Sequence, residues 1–385
     1  MNTYDVIVVG AGINGCCLAY KLHNLGQKVL VLEQEEVASG GSGAAGAFIN
    51  PKISKSGELK DLIEKSYLYS MDFYKTNFLP FTNLAPLLHI SKYEDENDKV
   101  EVFKEKTELK TSKTPDEIKE LLTEYVKPFE SVYLEDNAIV EAKDICNEML
   151  IDIEYKKIKV TTPQYKDGLW QIEGFKAKKL VLATGAYDEV VSEPYLKLRR
   201  IFGQRCDIES STFMEATIHH EVSVSATKKN GRISLGASHY LNQDDLPLKE
   251  QGALDMIELA LKSVKLKDIK IHSSYCGMRS GSNDYLPILG RLVSAKKSLE
   301  LDASALKGNK QAELNYIPEL YMINGVGGYG FVLAPYLSEL LCKALVNDSE
   351  IPEFLEPKRF YYRWAKKDAK MLKTSTINIQ KESKK

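Results

Sequence analysis

The segment that most constrains the fold is the first one. Val6 to Val9 is wholly apolar and β-branched, the composition of a parallel strand buried on both faces. It runs into Gly10-Ala11-Gly12-Ile13-Asn14-Gly15, followed by a helical pattern with apolar Cys17, Leu18, Leu22 and Leu25 that Gly26 stops. A second buried run, Val29 to Leu32, ends at Glu33. This is a complete β-α-β unit. In such a unit Gly10 makes a tight turn, Gly12 lets the backbone approach a pyrophosphate, and Gly15 lets the helix pack closely on the strand. The pyrophosphate would sit on the helix N-terminus, where unpaired amides and the helix dipole favour an anion. Glu33, about 20 positions on, is placed to take the ribose hydroxyls. A glycine pattern alone is weak evidence. The strand before it, the helix after it and the acidic residue closing the next strand make it a dinucleotide site.

A chain of 385 residues exceeds one minimal core and suits a nucleotide domain with a second domain inserted into it. Helical periodicity appears around Leu59, Leu62, Ile63, Tyr67 and Phe73, and Tyr93 to Lys127 is rich in Lys and Glu with a helical charge pattern. Strand-like runs occur at Ile158 to Thr162, Trp170 to Ile172 and Leu180 to Leu182, the last ending in Ala183-Thr184-Gly185. Alternation at Glu221 to Ser225 and Arg232 to Gly236 predicts an antiparallel sheet. With 43% apolar and 28% charged residues the chain is expected to be soluble, and a net charge of −2 argues against a bulk-basic nucleic-acid binder. Six cysteines lack metal-ligand spacing, so reduced thiols, a cytoplasmic location and no metal are expected. The N-terminus runs straight into a strand, so no signal peptide is expected, and no apolar run approaches the roughly 20 residues of a membrane span.

Three features favour FAD over NAD. The loop from Ser39 to Gly46, with Ser39, Ser42 and Gly43, offers backbone donors without side-chain bulk. Ala183 and Gly185 lie at a strand end that would close the cofactor site. Asn324-Gly325-Val326-Gly327-Gly328-Tyr329-Gly330 leads into an amphipathic helix. A helix N-terminus beginning near Gly325, Gly327, Gly328 and Gly330 would stabilise an anionic reduced flavin.

These motifs, with Cys276-Gly277-Met278-Arg279 and Asp284 to Gly290, resemble the superfamily of glycine, sarcosine and D-amino-acid oxidases. Within it, Gly203-Gln204, Gly236-Ala237-Ser238, Ala334-Pro335 and Glu339-Leu340-Leu341 are most similar to the FAD domain of bacterial bifunctional proteins of tRNA 5-methylaminomethyl-2-thiouridine biosynthesis. The resemblance implies an α/β fold: a Rossmann-like FAD-binding domain of glutathione-reductase type from residues 1–52, 136–200 and 275–355. An inserted α+β substrate domain with an antiparallel sheet would come from 53–135 and 201–274, and a basic tail from 356–385. It implies oxidation of carboxymethylaminomethyl-uridine in tRNA to aminomethyl-uridine, with electrons passing to the flavin and on to dioxygen or another acceptor. Arg279 would clamp the glycine-like carboxylate through two parallel charge-assisted bonds.

The sequence departs from that family in places. It opens on the fingerprint, so oxidation alone is expected, with a separate methyltransferase acting on the product. The loop from Gly40 to Phe48 is unusually rich in Gly and Ala, and His239 stands where an aromatic is expected. Cys276 lies where sarcosine oxidases attach flavin, but its spacing to Asp284 is off by one and non-covalent FAD is expected. The tail from Lys358 to Lys385 has ten Lys or Arg against two acids, interleaved with Phe360, Tyr361, Tyr362 and Trp364. That mixture suits phosphate contacts and base stacking, or a basic tail with its aromatics packed on the body. Oxidation of free glycine, sarcosine or another amino acid is the competing reading.

Overall fold

The computed structural model describes residues 3–126, 129–187, 190–241 and 250–369. In chain order, the strands that shape the site are β1 (Thr3–Val9), β2 (Val29–Glu33), β3 (Glu154–Lys157), β4 (Phe175–Leu182), β5 (Arg199–Glu209), β6 (Lys270–Gly281), β7 (Ile288–Val293) and β8 (Tyr316–Asn324). The helices are α1 (Ile13–Asn24), α2 (Glu58–Asn77), α3 (Gly330–Asn347) and α4 (Lys358–Trp364).

The first sheet is built on parallel pairing. β1 lies between β2 and β4, β3 extends it beyond β2, and β8 joins the far side of β4 in parallel, with β7 antiparallel on β8. Both faces of β1 are buried, as its unbroken apolar run requires. Val6 and Val8 face a core with α1, α2 and α3, while Ile7 and Val9 face a second core containing Trp170 and Tyr361. Among the described residues, one helical stretch, Gly327–Asn347, is long and apolar enough to cross a membrane. Ser338, Glu339 and Lys343 interrupt its apolar run. It packs on α1 and α2, and Leu333, Leu337 and Leu341 are buried.

One expected strand is displaced. Pairing with β2 uses the polar residues Glu154–Lys157, not Ile158 to Thr162. Ile158 instead donates its amide to Glu33 O at 2.7 Å, and Ile158 and Val160 turn their side chains into a cavity beyond the end of β2. The segment between Tyr93 and Lys127 also holds less helix than its charge pattern predicts: Asn97–Lys106 and Asp116–Glu120.

The second, nine-stranded sheet is dominated by β5 and β6, paired antiparallel along almost their whole length. Of the two alternating runs, Ile233–Gly236 forms a strand on β5, while only Ser223–Val224 of the other does. The loop 38–46 joins the two sheets by direct backbone approach. A Cβ on Gly41 would lie 2.7 Å from Met278 O, and one on Gly277 would lie 2.6 Å from Gly40 O.

The beginning of the basic tail is part of the body. Phe360 and Tyr361 are buried in the second core, with Trp364 packed against it. The rings of Phe360 and Tyr361 are therefore covered, which favours the second of the two readings of the tail, aromatics packed on the body, at these two positions. Lys366 and Lys367 are exposed, and residues 370–385, Lys370 among them, lie outside the described residues. Arg359 anchors α4. It pairs with Asp284 at 3.0 Å and donates to the carbonyls of Leu355, Glu356, Leu286 and Pro287. Arg359→Met should therefore destabilise the fold by roughly 3 kcal/mol, because it strands a largely buried carboxylate and several carbonyls. Equilibrium denaturation checks this, and an unchanged midpoint would show that α4 docks by apolar contact alone.

Candidate functional site

Two adjoining cavities form a trench across the C-terminal ends of the parallel strands, the position at which open α/β sheets bind ligands. One, of about 330 Å³, begins at Glu33 and runs past Gly10 and Ser39. The other, of about 360 Å³, reaches the start of α3 and the floor of the second sheet. They share Gly12, Gly41, Ser42, Ala183, Gly185 and Met278 as a common wall.

The fingerprint glycines do different physical work. A Cβ on Gly15 would lie 1.9 Å from Gly10 O, and one on Gly10, whose φ is +107°, would lie 2.4 Å from Ala183 O. These two are required by the packing of α1 on β1 and β4. Gly12 is different, since its Cβ would meet only Ser42 Oγ, at 3.0 Å. Its bareness leaves the start of α1 open to the trench. Ser42 Oγ accepts from Ile13 N at 2.9 Å, so the loop residue already stands over the helix N-terminus. Glu33 accepts from Ala11 N at 2.8 Å and from Glu35 N at 3.0 Å, which fixes its carboxylate at the mouth of the first cavity.

At the other end, Gly327–Tyr329 forms a short 3-10 turn that continues into α3, and Gly327, Gly328 and Gly330 line the second cavity. Buried Asn324 ties this turn to the sheet. It donates to Gly185 O at 2.9 Å, accepts from Ser280 Oγ at 2.7 Å and accepts from Gly325 N at 2.8 Å. Of the residues expected at the site, Gly15, Gly43 and Gly325 line neither cavity. Gly43 abuts Ala38 O, and Gly325 packs on Ile288. The trench thus carries a helix N-terminus that could take a phosphate, a fixed carboxylate that could take a ribose and a second helix start beside the other cavity. That donor set fits FAD.

Arg279 lies on the wall of the second cavity. Its guanidinium lies over Gly203 of β5, where a Cβ would come within 1.9 Å of Nη2. It is 7% exposed and donates from Nη2 to Ser238 O at 2.9 Å. No carboxylate is within ion-pair distance of it among the described residues. Burial lowers its pKa to about 10, so it remains charged at neutral pH.

The same wall holds Asn50 and His219, which no sequence motif marks, and Phe48 and Tyr329, which lie within the glycine-rich stretches but carry no assigned role there. The Asn50 amide lies 3.2 Å from His219 Nε2, and Phe48 meets the His219 ring edge to face. Burial, with nearby His89 adding to it, pushes the His219 pKa down to about 3. His239 also lines the cavity, and burial and then the Arg279 charge lower its pKa. Both imidazoles are neutral at neutral pH. Cys276 lines neither cavity and packs beside Ala186, Phe202 and Met278.

A family model described as FAD dependent oxidoreductase matches residues 5–344. Among curated proteins, the tRNA 5-methylaminomethyl-2-thiouridine biosynthesis bifunctional protein MnmC of Legionella pneumophila (strain Philadelphia 1) is 27% identical over 372 residues, covering 89% of this chain and 54% of its own. The protein of the same name from Haemophilus ducreyi is 24% identical, covering 94% of this chain and 60% of its own. The chain thus spans little more than half the length of these relatives. The crystal structure of glycine oxidase from Geobacillus kaustophilus shares the fold, with a TM-score of 0.75 at 18% identity over 92% of this chain and 98% of that one. L-proline dehydrogenase from P. horikoshii does so with a TM-score of 0.76 at 16% identity, over 93% and 98%.

The contrast among the glycines is testable. Gly12→Val should leave a folded protein that purifies with little flavin, whereas Gly15→Ala should cost roughly 3 kcal/mol of stability by forcing α1 off β1. Visible absorbance per chain and a thermal melt separate the two effects. Full flavin content in Gly12→Val would remove the start of α1 from the cofactor site.

Proposed function

The chain belongs to the family of FAD-dependent oxidoreductases, and from that premise we propose that it oxidises a secondary amine bearing a glycine-like carboxymethyl group. The substrate is carboxymethylaminomethyl-uridine in tRNA, and the product is aminomethyl-uridine. One observation carries this reading: Arg279 is a buried cation on the cavity wall with no acidic partner among the described residues. Burying a charge is costly unless it is paired, and a substrate carboxylate would supply the partner. A planar guanidinium can grip it through two parallel bonds, which fixes the α-carbon as well as the charge.

In this reading the start of α1, with Gly12 and Ser42, holds the pyrophosphate. Glu33 holds the ribose, Ser39, Ala183 and Gly185 line the path between, and the turn at Gly327, Gly328 and Gly330 meets the flavin edge. Gly10, Gly15, Gly43 and Gly325 shape the backbone behind them. FAD, when bound, accepts the two electrons that leave the C–N unit of the substrate. Arg279 holds the carboxylate still, and Ser238 O holds Arg279. The neutral imidazoles of His219 and His239 add no charge that would compete for the anion. No side chain needs to act as base, because the lone pair of a neutral amine drives the oxidation. Hydrolysis of the resulting imine releases the aminomethyl group and an aldehyde acid.

The name shared by the curated relatives supports a tRNA substrate. Cys276, placed away from both cavities, supports non-covalent FAD. Six cysteines that form no disulfide among the described residues support a cytoplasmic location. The first sheet with its helices would be a glutathione-reductase-type FAD domain, and the second sheet would belong to the inserted substrate domain. A second reading, oxidation of free glycine, sarcosine or another amino acid, gains from the burial of Phe360 and Tyr361, which removes two base-stacking candidates from the tail.

The deciding experiment is anaerobic flavin reduction with tRNA carrying carboxymethylaminomethyl-uridine and, separately, with free glycine and sarcosine. Reduction by the tRNA with the matching nucleoside mass change is expected, and reduction by free amino acids alone would install the second reading. With the productive substrate, Arg279→Lys should slow reduction about ten- to hundredfold, the equivalent of losing a charged hydrogen bond worth roughly 1.5–3 kcal/mol. FAD should stay bound, and an unchanged rate would remove Arg279 from the site.

The pH profile has a definite sign. His219 is neutral above about 3 and Arg279 charged below about 10, His239 is depressed and Tyr329 raised by burial. The cavity wall therefore does not titrate between about pH 6.5, the ordinary histidine value, and about 10. The reduction rate should rise with pH only through the pKa of the substrate ammonium and then level off. A second inflection in that range, abolished in His239→Asn, would show that the wall takes part.

A further inference from the structure

We propose that Lys52 binds a phosphodiester at the rim of the flavin cavity, next to the nucleotide whose amine is oxidised. This inference rests on the RNA reading of the substrate. Lys52 follows the short strand Phe48–Ile49, two of whose neighbours in the chain, Phe48 and Asn50, line the cavity. Its ammonium lies 5.5 Å from the ring centroid of Tyr329, which lines the same cavity at the start of α3. It is half-buried, and no carboxylate lies within ion-pair distance among the described residues.

Its neighbours are not left this way. Lys55 pairs with Asp98 at 3.2 Å, Lys99 with Glu96 at 3.7 Å and Lys92 with Glu221 at 2.6 Å. The charge that bears on Lys52 is the like charge of Lys99, and burial followed by that repulsion lowers its pKa. The Tyr329 ring attracts this cation, but burial and the like charge of Lys99 both disfavour it. An anion at the rim relieves both the desolvation and the repulsion.

The chemistry of the anion follows from where it must sit. Arg279, on the cavity wall, already takes the carboxylate of the reacting group, and glycine or sarcosine has no second anion to offer. A nucleotide with its base in the cavity has phosphodiesters outside, and a compact ammonium on a flexible stem suits one of them.

The test uses the full-length protein with FAD bound and tRNA carrying carboxymethylaminomethyl-uridine, assayed over a series of salt concentrations. In Lys52→Met, which keeps the stem over Tyr329, KM should rise roughly fivefold while kcat stays within about twofold, the pattern of lost uniform binding. The slope of log KM against log salt should fall by about 0.7–0.9, as one phosphate contact disappears. Lys52→Arg should restore both. An unchanged KM and slope in Lys52→Met overturns the proposal, and so does a Lys52→Arg variant as impaired as Lys52→Met, since that pattern marks packing and not charge. If the wild-type enzyme turns over free amino acids but leaves the tRNA nucleoside mass unchanged, the RNA reading falls and this site falls with it. Turnover of tRNA with an unaltered Lys52→Met profile removes Lys52 alone.

Discussion

The site depends on how closely bare backbone can approach bare backbone. Gly15 lies on Gly10, Gly10 on Ala183, and the Gly40-Gly41 pair on Gly277 and Met278, each at a separation that a single Cβ would violate. The first two contacts bring α1 down onto the strand ends. The third brings the second sheet up to the first. Between them the loop 38–46 serves as a shared wall, with Gly41 and Ser42 lining both cavities. Packing this close leaves little room for relaxation, so a one-carbon change at these points is felt across both sheets.

The same economy of atoms creates the electrostatic feature of the site. Gly203 leaves space on β5, and the Arg279 guanidinium fills it. A side chain at Gly203 would push the charge outward to water, where it would be cheap to hold and of little use. In place, it is desolvated and served by the Ser238 carbonyl. Elsewhere the protein pairs its buried cations: Lys228 with Glu141 and Asp207, Arg205 with Asp207, Arg359 with Asp284. Arg279 departs from that practice. Local violations of otherwise consistent rules mark places where function outweighs stability.

Much of the first sheet is legible in the sequence because its signals are local. An apolar run, a glycine turn and a helix stop within a short span define β1, α1 and β2, and Glu33 falls where the chemistry wants it. The periodicity of α2 is equally plain. Ile158 and Val160 mislead because apolar character says only that a residue is buried. Here they are buried against a cavity, and the strand forms from the polar residues before them. Asn50 and His219 are illegible for a related reason. They meet across 169 positions of chain, and neither carries a pattern in its own neighbourhood. The glycine-rich loop is visible as a loop, but its reason is not, since the partner of Gly41 lies on β6. The aromatics at the start of the tail show the limit of composition. The basic company of Phe360 and Tyr361 leaves open whether they are exposed or packed, and only the fold shows that their rings complete a core.

The pairing of β8 with β4 has a consequence for how the chain is made. β4 lies near the middle of the sequence and β8 late, and six of the nine strands of the second sheet, β5 and β6 among them, are encoded between them. While the chain emerges from the ribosome, the C-terminal half of β4 therefore has one edge without its final partner, in the apolar run Leu180-Val181-Leu182. An uncovered apolar edge is a template for pairing with another chain. Synthesis has to carry this edge through the making of most of the second sheet before β8 arrives to cover it, and the edge is open to wrong pairing throughout that interval.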